Sequence, residues 1–266
     1  MKNKKILIPL LLVFVIFSCS KVPITNRKQF RMLPNNVMMS MSLSNYKGFL
    51  SKNPAMPASN SNTAMVKRVG AKISTSLTKH MKETGHSKRV KDFQWEFNLV
   101  NNKSVNAWCM PGGKIVFYSG ILPYTKTETG LAVVMGHEMG HAVAKHGNER
   151  MSQQLIIVLG GASLAVAMKE KPEQTRNIFL AVYGVGSTLG TLAYSRKHEY
   201  EADKLGMVFM ALAGYDPAET IIFWERMSSK GGAKIPEFLS THPSDKNRIE
   251  EMKKFLPEAK KYYKAS

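Results

Sequence analysis

The sequence is poor in cysteine, in acidic residues and in long apolar runs. Two cysteines in 266 residues exclude a disulfide-built scaffold, so stability must come from a core or from a metal. Asp and Glu number 19 against 38 Lys and Arg, a formal charge of +19. That excess suits an anionic surface, whether lipid headgroups, polyanions or acidic unfolded segments. No basic motif with interleaved aromatics is present, which argues against a nucleic-acid module. No apolar stretch reaches the roughly 20 residues of a comfortable membrane span. No internal repeat is visible, so a solenoid is excluded.

The N-terminus has the build of an export signal. "MKNKK" is a positive n-region, and "ILIPLLLVFVIFS" is an apolar stretch of thirteen residues, the length of an h-region. It runs into "IFSCS", which resembles a bacterial lipobox, although Phe17 stands where smaller residues are commoner. Residues 1–18 are thus expected to be a signal peptide. Cys19 is expected to be acylated, and an acylated Cys19 cannot pair with Cys109. By analogy with lipoprotein sorting in some bacteria, Ser20 favours the outer membrane over the inner.

Residues 20–35 mix Pro, Asn and basic residues and read as a tether. A short helix is expected at 36–50 and a loop at 51–61. Val66, Val69, Ile73 and Leu77 recur at helical spacing within Thr63–Met81. "FQWEFNL" alternates as a strand does. "VNAWCMPGGKIVFYSG" reads as a hairpin, Asn106–Cys109 paired with Lys114–Tyr118 around a turn-forming cluster. The segment after it predicts a helix capped by Thr127 or Thr129 and ended by Gly147. The apolar segments Leu155–Met168 and Ile178–Leu192, fourteen and fifteen residues long, suit buried helices or a pair that covers a groove or dips into a membrane face. Further helices are expected at Ser195–Ala213, after Asp216–Pro217, and at Ser244–Phe255, followed by a basic tail.

"GHEMGH" at 136–141 carries the chemistry. On a helix, positions i and i+4 share a face about 6 Å apart along the axis. His137 and His141 can therefore aim both imidazoles at one zinc ion. Glu138 can reach a water on that ion without binding the metal, as a general base does. In a chain with seven histidines, chance supplies H-E-x-x-H only about 0.01 times. A third ligand is available in "SRKHEYEADKLG". Glu199 with Asp203 at i+4 resembles the thermolysin-like gluzincin arrangement: Glu199 completes a His₂Glu set, and Asp203 accepts a ligand's other ring N–H. Glu201 competes for the role. It lies about 200° around the helix from Glu199, and it has no Asp four residues on.

His242 has two readings, as a stabiliser of an oxyanion or as an occupant of the open zinc position at rest. His146, nine residues after His137 on the expected helix, falls off the ligand face and is assigned a structural or supporting role. His80, His86 and His198 are expected at the surface. Asn106, Ala107, Trp108 and Cys109 are the candidate edge for holding an extended substrate.

Five segments in order, "SKVPITNRKQF", "SVNAWCMPGGKIVFYSGIL", "GHEMGHAVAKHGNER", "SRKHEYEADKLG" and "STHPSDKNRI", resemble the zinc metallopeptidases of the CAAX prenyl protease, HtpX, Oma-type and BepA group (metallopeptidase family forty-eight). The likeness is greatest to its lipid-anchored periplasmic members. It differs from HtpX and the CAAX proteases in lacking several full-length spans, and from BepA in showing no helical-repeat domain. The resemblance implies one zinc per chain on His137, His141 and Glu199, a base at Glu138, and a regulatory or transition-state role for His242. The fold expected is α+β, a mainly helical gluzincin-type domain with a small antiparallel sheet beside the H-E-x-x-H helix. Its division would be a signal peptide at 1–18, a lipid-anchored tether and N-terminal helix at 19–61, the metallopeptidase domain at 62–256 and a basic tail at 257–266. The implied function is zinc-dependent hydrolysis of misfolded or unassembled cell-envelope proteins, from an anchor facing the periplasm. The alternative is a lipid-anchored chaperone that uses the same groove without turnover.

Overall fold

The computed structural model describes residues 19–159, 166, 169, 172–183, 195–229, 237–242 and 246–264. Most of the apolar segments 155–168 and 178–192 lies outside the described residues. Strand β1 (Cys19–Lys21) pairs antiparallel with β2 (Lys28–Phe30). The segment expected as a tether is therefore folded, with Val22 and Gln29 each 1% exposed. Helices α1 (Asn35–Lys52) and α2 (Ser61–Glu83) follow, the second capped by the Asn60 side chain.

Strands β3 (Glu96–Val100), β4 (Ala107–Met110) and β5 (Lys114–Tyr118) form a sheet in the order β3-β5-β4. The expected hairpin is present, with Cys109 opposite Ile115 and Met110 opposite Lys114. Its turn needs the positive φ of Gly112 (87°) and Gly113 (81°). The sheet is mixed rather than purely antiparallel. β5 inserts between its hairpin partner and β3, and β3 runs parallel to it.

Both faces of this sheet are covered, so β4 and β5 are buried throughout. Leu99, Ala107, Cys109, Ile115 and Phe117 turn to the main core, built with α2 and the helices that carry the site. Val100, Trp108, Met110, Val116 and Tyr118 turn to a second core with α1 and two helices introduced next. The period of two is intact, but apolar residues fill both phases.

A short turn of helix at Leu122–Thr125 precedes the longer helices among the described residues, α3 (Glu128–Ala144), α4 (His146–Leu159), α5 (Pro172–Val182), α6 (Arg196–Leu212), α7 (Glu219–Ser229), α8 (Glu237–Thr241) and α9 (Lys246–Lys260). Helix α3 is nearly engulfed, with residues 130–141 all buried. It packs on α6 at backbone contact. A Cβ on Gly140 would stand 2.6 Å from the Ala202 carbonyl oxygen, and one on Gly206 would stand 2.8 Å from the His137 nitrogen. The glycines of "GHEMGH" thus let the two motif-bearing helices touch. Among the described residues, no helix is long and apolar enough to cross a membrane.

Candidate metal centre

Thr127 caps α3, its hydroxyl accepting from the Gly130 N–H at 3.0 Å. About three turns after Thr127, the helix presents His137 and His141 to α6. Ser195 caps α6, which places Glu199 in the first turn and Asp203 one turn on. The close crossing brings these side chains together. Donor atoms of His137, His141, Glu199 and His242 all lie within 4.8 Å of one another, and all four residues are buried.

The set fits a tetrahedral ion. Donors about 2.0–2.2 Å from one zinc stand about 3.3 Å apart. His137 Nε2 is 3.1 Å from both His141 Nε2 and His242 Nδ1. Glu199 Oε1 is 3.3 Å from His141 Nε2 and 3.2 Å from His242 Nδ1. Three imidazole nitrogens and a carboxylate converging on one buried point make a donor set that a cation satisfies and a proton network does not. Burial lowers His242 to about 4 and His141 well below the usual imidazole range, which favours the neutral ring that can ligate a metal.

His137 is oriented by carboxylates. Its Nδ1 lies 2.9 Å from Asp203 Oδ1. Burial alone would lower this imidazole, but hydrogen bonds to Asp203 and Glu199 outweigh it and raise it to about 9. Asp203 is in turn clamped by Arg248, with Nε 2.6 Å from Oδ2 and a second nitrogen 2.9 Å from Oδ1. Arg248 also reaches Glu199 Oε2 at 2.9 Å, and its guanidinium lies 3.7 Å from the Trp224 ring centre. Sequence reasoning missed this residue, although it lies in the matched segment "STHPSDKNRI".

Glu138 sits beside the cluster rather than in it. Its Oε1 is 3.5 Å from His242 Nε2 and has no hydrogen-bond partner among the described residues. Burial raises its carboxyl to about 8, and a nearby cation acts in the opposite direction. The Cys109 backbone N–H donates to it, which ties Glu138 to β4. That strand is the edge of its sheet. Residues 106, 108 and 110 point their backbone groups at β5, so by alternation Ala107 and Cys109 turn theirs outward. At the start of this edge the Phe238 N–H donates to the Val105 carbonyl at 2.8 Å. The short helix that delivers His242 therefore also lies against the edge. Cys19 opens β1.

Two histidine placements need correction. Helix α3 does not run to Gly147. It stops at Lys145, which adopts a left-handed conformation (φ 58°, ψ 37°), and α4 begins at His146. The break turns His146 back onto the site, its Nδ1 2.9 Å from His141 Nδ1. His198 is not at the surface. It is 4% exposed, and its Nε2 lies 3.1 Å from Glu149 Oε2. Glu201 is outside the donor set and pairs instead with His146 at 2.8 Å and Arg27 at 2.6 Å.

Comparison with known proteins gives this arrangement a family. The sequence profile of peptidase family M48 matches residues 71–256. The chain belongs to peptidase family M48. All four clustered donors, Glu138 and Asp203 fall inside the matched region. The chain is 34% identical over 246 residues to the mitochondrial metalloendopeptidase OMA1 of Schizosaccharomyces pombe, covering 90% of this chain and 66% of that protein. It is 29% identical over 265 residues to the human mitochondrial metalloendopeptidase OMA1, covering 94% and 49%. Against the beta-barrel assembly-enhancing protease of Escherichia coli K12 it is 29% identical over 178 residues, covering 64% and 36%. The chain thus spans between about a third and two thirds of the length of these three M48 relatives.

Proposed function

We propose that the protein is a zinc-dependent endopeptidase of the cell envelope, held at the membrane by an acylated Cys19 and acting on misfolded or unassembled envelope proteins. The observation that carries this reading is the convergence of His137, His141 and Glu199 on one buried point, with Glu138 alongside. These residues would hold the ion. Bound there, zinc supplies Lewis acidity toward a scissile carbonyl and toward water.

The chain does the rest. Glu138 takes the water proton and later delivers it to the leaving amine. Asp203 and Arg248 keep His137 in the tautomer that offers Nε2 inward. The outward carbonyls of Ala107 and Cys109 are where an extended substrate can pair as an added strand, the Cys109 N–H being held by Glu138 and the Ala107 N–H by Asn106 Oδ1. A small pocket beside Cys109 and His141 is lined by Met38, Met39, Phe93 and Lys145 among others. Met walls adapt to varied shapes, as a protease of unfolded chains requires.

His242 fits the resting-plug reading better than the oxyanion reading. Its Nδ1 is within 3.2 Å of both His137 Nε2 and Glu199 Oε1, which is the fourth corner of the tetrahedron. With α8 against Val105, displacing one short segment would open the fourth position and the strand edge together. The membrane relation and the quality-control role rest on the lipobox-like "IFSCS" and on the bacterial relative.

The test is a digest of casein or an unfolded outer-membrane protein by the parent, Glu138→Gln and His242→Ala. Glu138→Gln should lower turnover by about 10²–10⁴ with zinc retained. His242→Ala should raise it. Equal cleavage by the parent and Glu138→Gln would reject the mechanism. Suppression of aggregation without any cleavage would favour the chaperone alternative.

A further inference from the structure

His141 is oriented differently from His137. Its outer nitrogen meets a second histidine, and a carboxylate stands one step further on. If His141 offers Nε2 to the metal, its Nδ1 carries the proton and donates to His146 Nδ1, 2.9 Å away. His146 must then carry its own proton on Nε2, which lies 2.8 Å from Glu201 Oε2. This assignment follows from the partners of each ring. Glu201 therefore fixes the tautomer of His146, and His146 fixes that of His141.

Glu201 is itself held by the N-terminal strap. Arg27 Nε donates to Glu201 Oε2 at 2.6 Å, and the Thr25 hydroxyl donates to Oε1. Arg27 also forks onto Glu149, at 3.0 and 2.8 Å. Two residues on, Gln29 Nε2 donates to the Ala144 carbonyl at 2.5 Å and to Glu149 at 3.0 Å, so the strap closes the end of the very helix that carries His141. Its own backbone is strained. Ile24 and Asn26 take positive φ, 66° and 55°. A β-branched residue in that region is costly unless its surroundings impose it. The residues spanning 22–29 are built to fit this one place.

We propose that Arg27 is a positioning residue for the metal centre: through Glu201 and His146 it sets the orientation of His141, so that docking of the strap 22–29 completes the site. This rests on the metallopeptidase reading above. It makes the N-terminal segment, with Arg27 eight residues after Cys19, part of the metal centre's support rather than a passive leash.

The experiment measures zinc affinity of the full chain by chelator competition, with visible spectra of the cobalt-substituted protein, independently of any cleavage. Arg27→Gln and Glu201→Gln should each raise the zinc Kd about tenfold and alter the cobalt bands. Thr25→Val, close to isosteric, should raise it about threefold. Leu77→Ala, a cavity in the main core away from this chain of contacts, should lower the unfolding temperature yet keep Kd within about twofold. Parental Kd in both Glu201→Gln and Thr25→Val would overturn the inference, whatever the solubility of Arg27→Gln. A rise no larger than that of Leu77→Ala would do the same. A parent that binds no zinc would overturn the metal-centre reading and this inference with it; a parent that binds zinc with indifferent variants would remove only the latter.

Discussion

The two histidines of "GHEMGH" sit one turn apart on one helix, yet they are supported from opposite ends of the chain. His137 leans on Asp203 directly, and Arg248 of α9 locks that carboxylate. His141 leans on His146, then Glu201, then Arg27 of the N-terminal strap. The first support is short, dry and charged, with Arg248 1% exposed. The second is longer and partly wet, since the Arg27 side chain is 13% exposed. A buried charge that loses its only counterion is costly, whereas a partly solvated one can turn to water. The comparison therefore predicts unequal sensitivity around a symmetric motif.

The sharpest way to break it is to remove each arginine. Arg248→Met would remove the one arginine among the described residues that pairs with Asp203 and Glu199 in the interior and leave them only their histidine contacts. We expect a loss of about 3–5 kcal/mol in unfolding free energy, measured by denaturant titration. Arg27→Met should lose about 2 kcal/mol or less, because Glu149 keeps His198 and water reaches the strap. Equal losses would show that the two sides bear equal weight.

Much of the His137 side is legible from spacing alone, and little of the His141 side is. The i, i+4 pairs His137–His141 and Glu199–Asp203 encode a face on each of two helices, and helix geometry is local. The hairpin is equally local, since "MPGG" dictates its turn. The strap's partners are not local. Nothing in "ITNRKQ" shows that Arg27 will meet Glu201, 174 residues later. His146 was hidden for a different reason. A glycine two residues further on suggested the wrong helix end, while Lys145, not a residue typical of left-handed caps, makes the turn. Arg248 was hidden because its helix reads as amphipathic and charged, and periodicity does not say which cation is drawn inward.

A second test strikes both sides at once. Gly140→Ala puts a methyl 2.6 Å from a backbone oxygen that no rotamer change can move. The helices must separate, at about 1–3 kcal/mol. Because α3 and α6 carry the proposed ligands His137, His141 and Glu199, zinc affinity should fall together with stability. A stable variant with intact affinity would show that the helix crossing is more pliant than its contacts indicate.

The acid limb of stability tests one carboxylate that the strap holds. Burial pushes the Glu149 carboxyl up, but hydrogen bonds from His198, Arg27 and Gln29 prevail and hold it well below the usual carboxylate range. Its folded-state value is thus depressed. The stabilisation is fully present above the unfolded value of about 4.3 and is lost as pH falls below it. Thermal unfolding between pH 7 and pH 3 should show a falling limb below about pH 5. Glu149→Gln should lower the neutral-pH plateau and flatten that limb. An unchanged limb would mean that other carboxylates govern acid unfolding.

The smallest effect concerns the break that separates α3 from α4. Lys145 sits at φ 58° and ψ 37°, a conformation that costs an ordinary residue about 1–2 kcal/mol and glycine almost nothing. Lys145→Gly removes that cost but adds flexibility to the unfolded chain, worth about 0.5–1 kcal/mol. The balance is a gain of up to about 1 kcal/mol, seen as a small rise in unfolding temperature. The Lys145 amine also meets Asn35 Oδ1 at 3.0 Å, and losing that bond trims the gain. If the break is set by the helices and by Gln29 on Ala144, His146 stays on His141 and the zinc Kd is unchanged. If the lysine side chain holds the break, the same substitution lowers the unfolding temperature and weakens zinc through the His141 side alone.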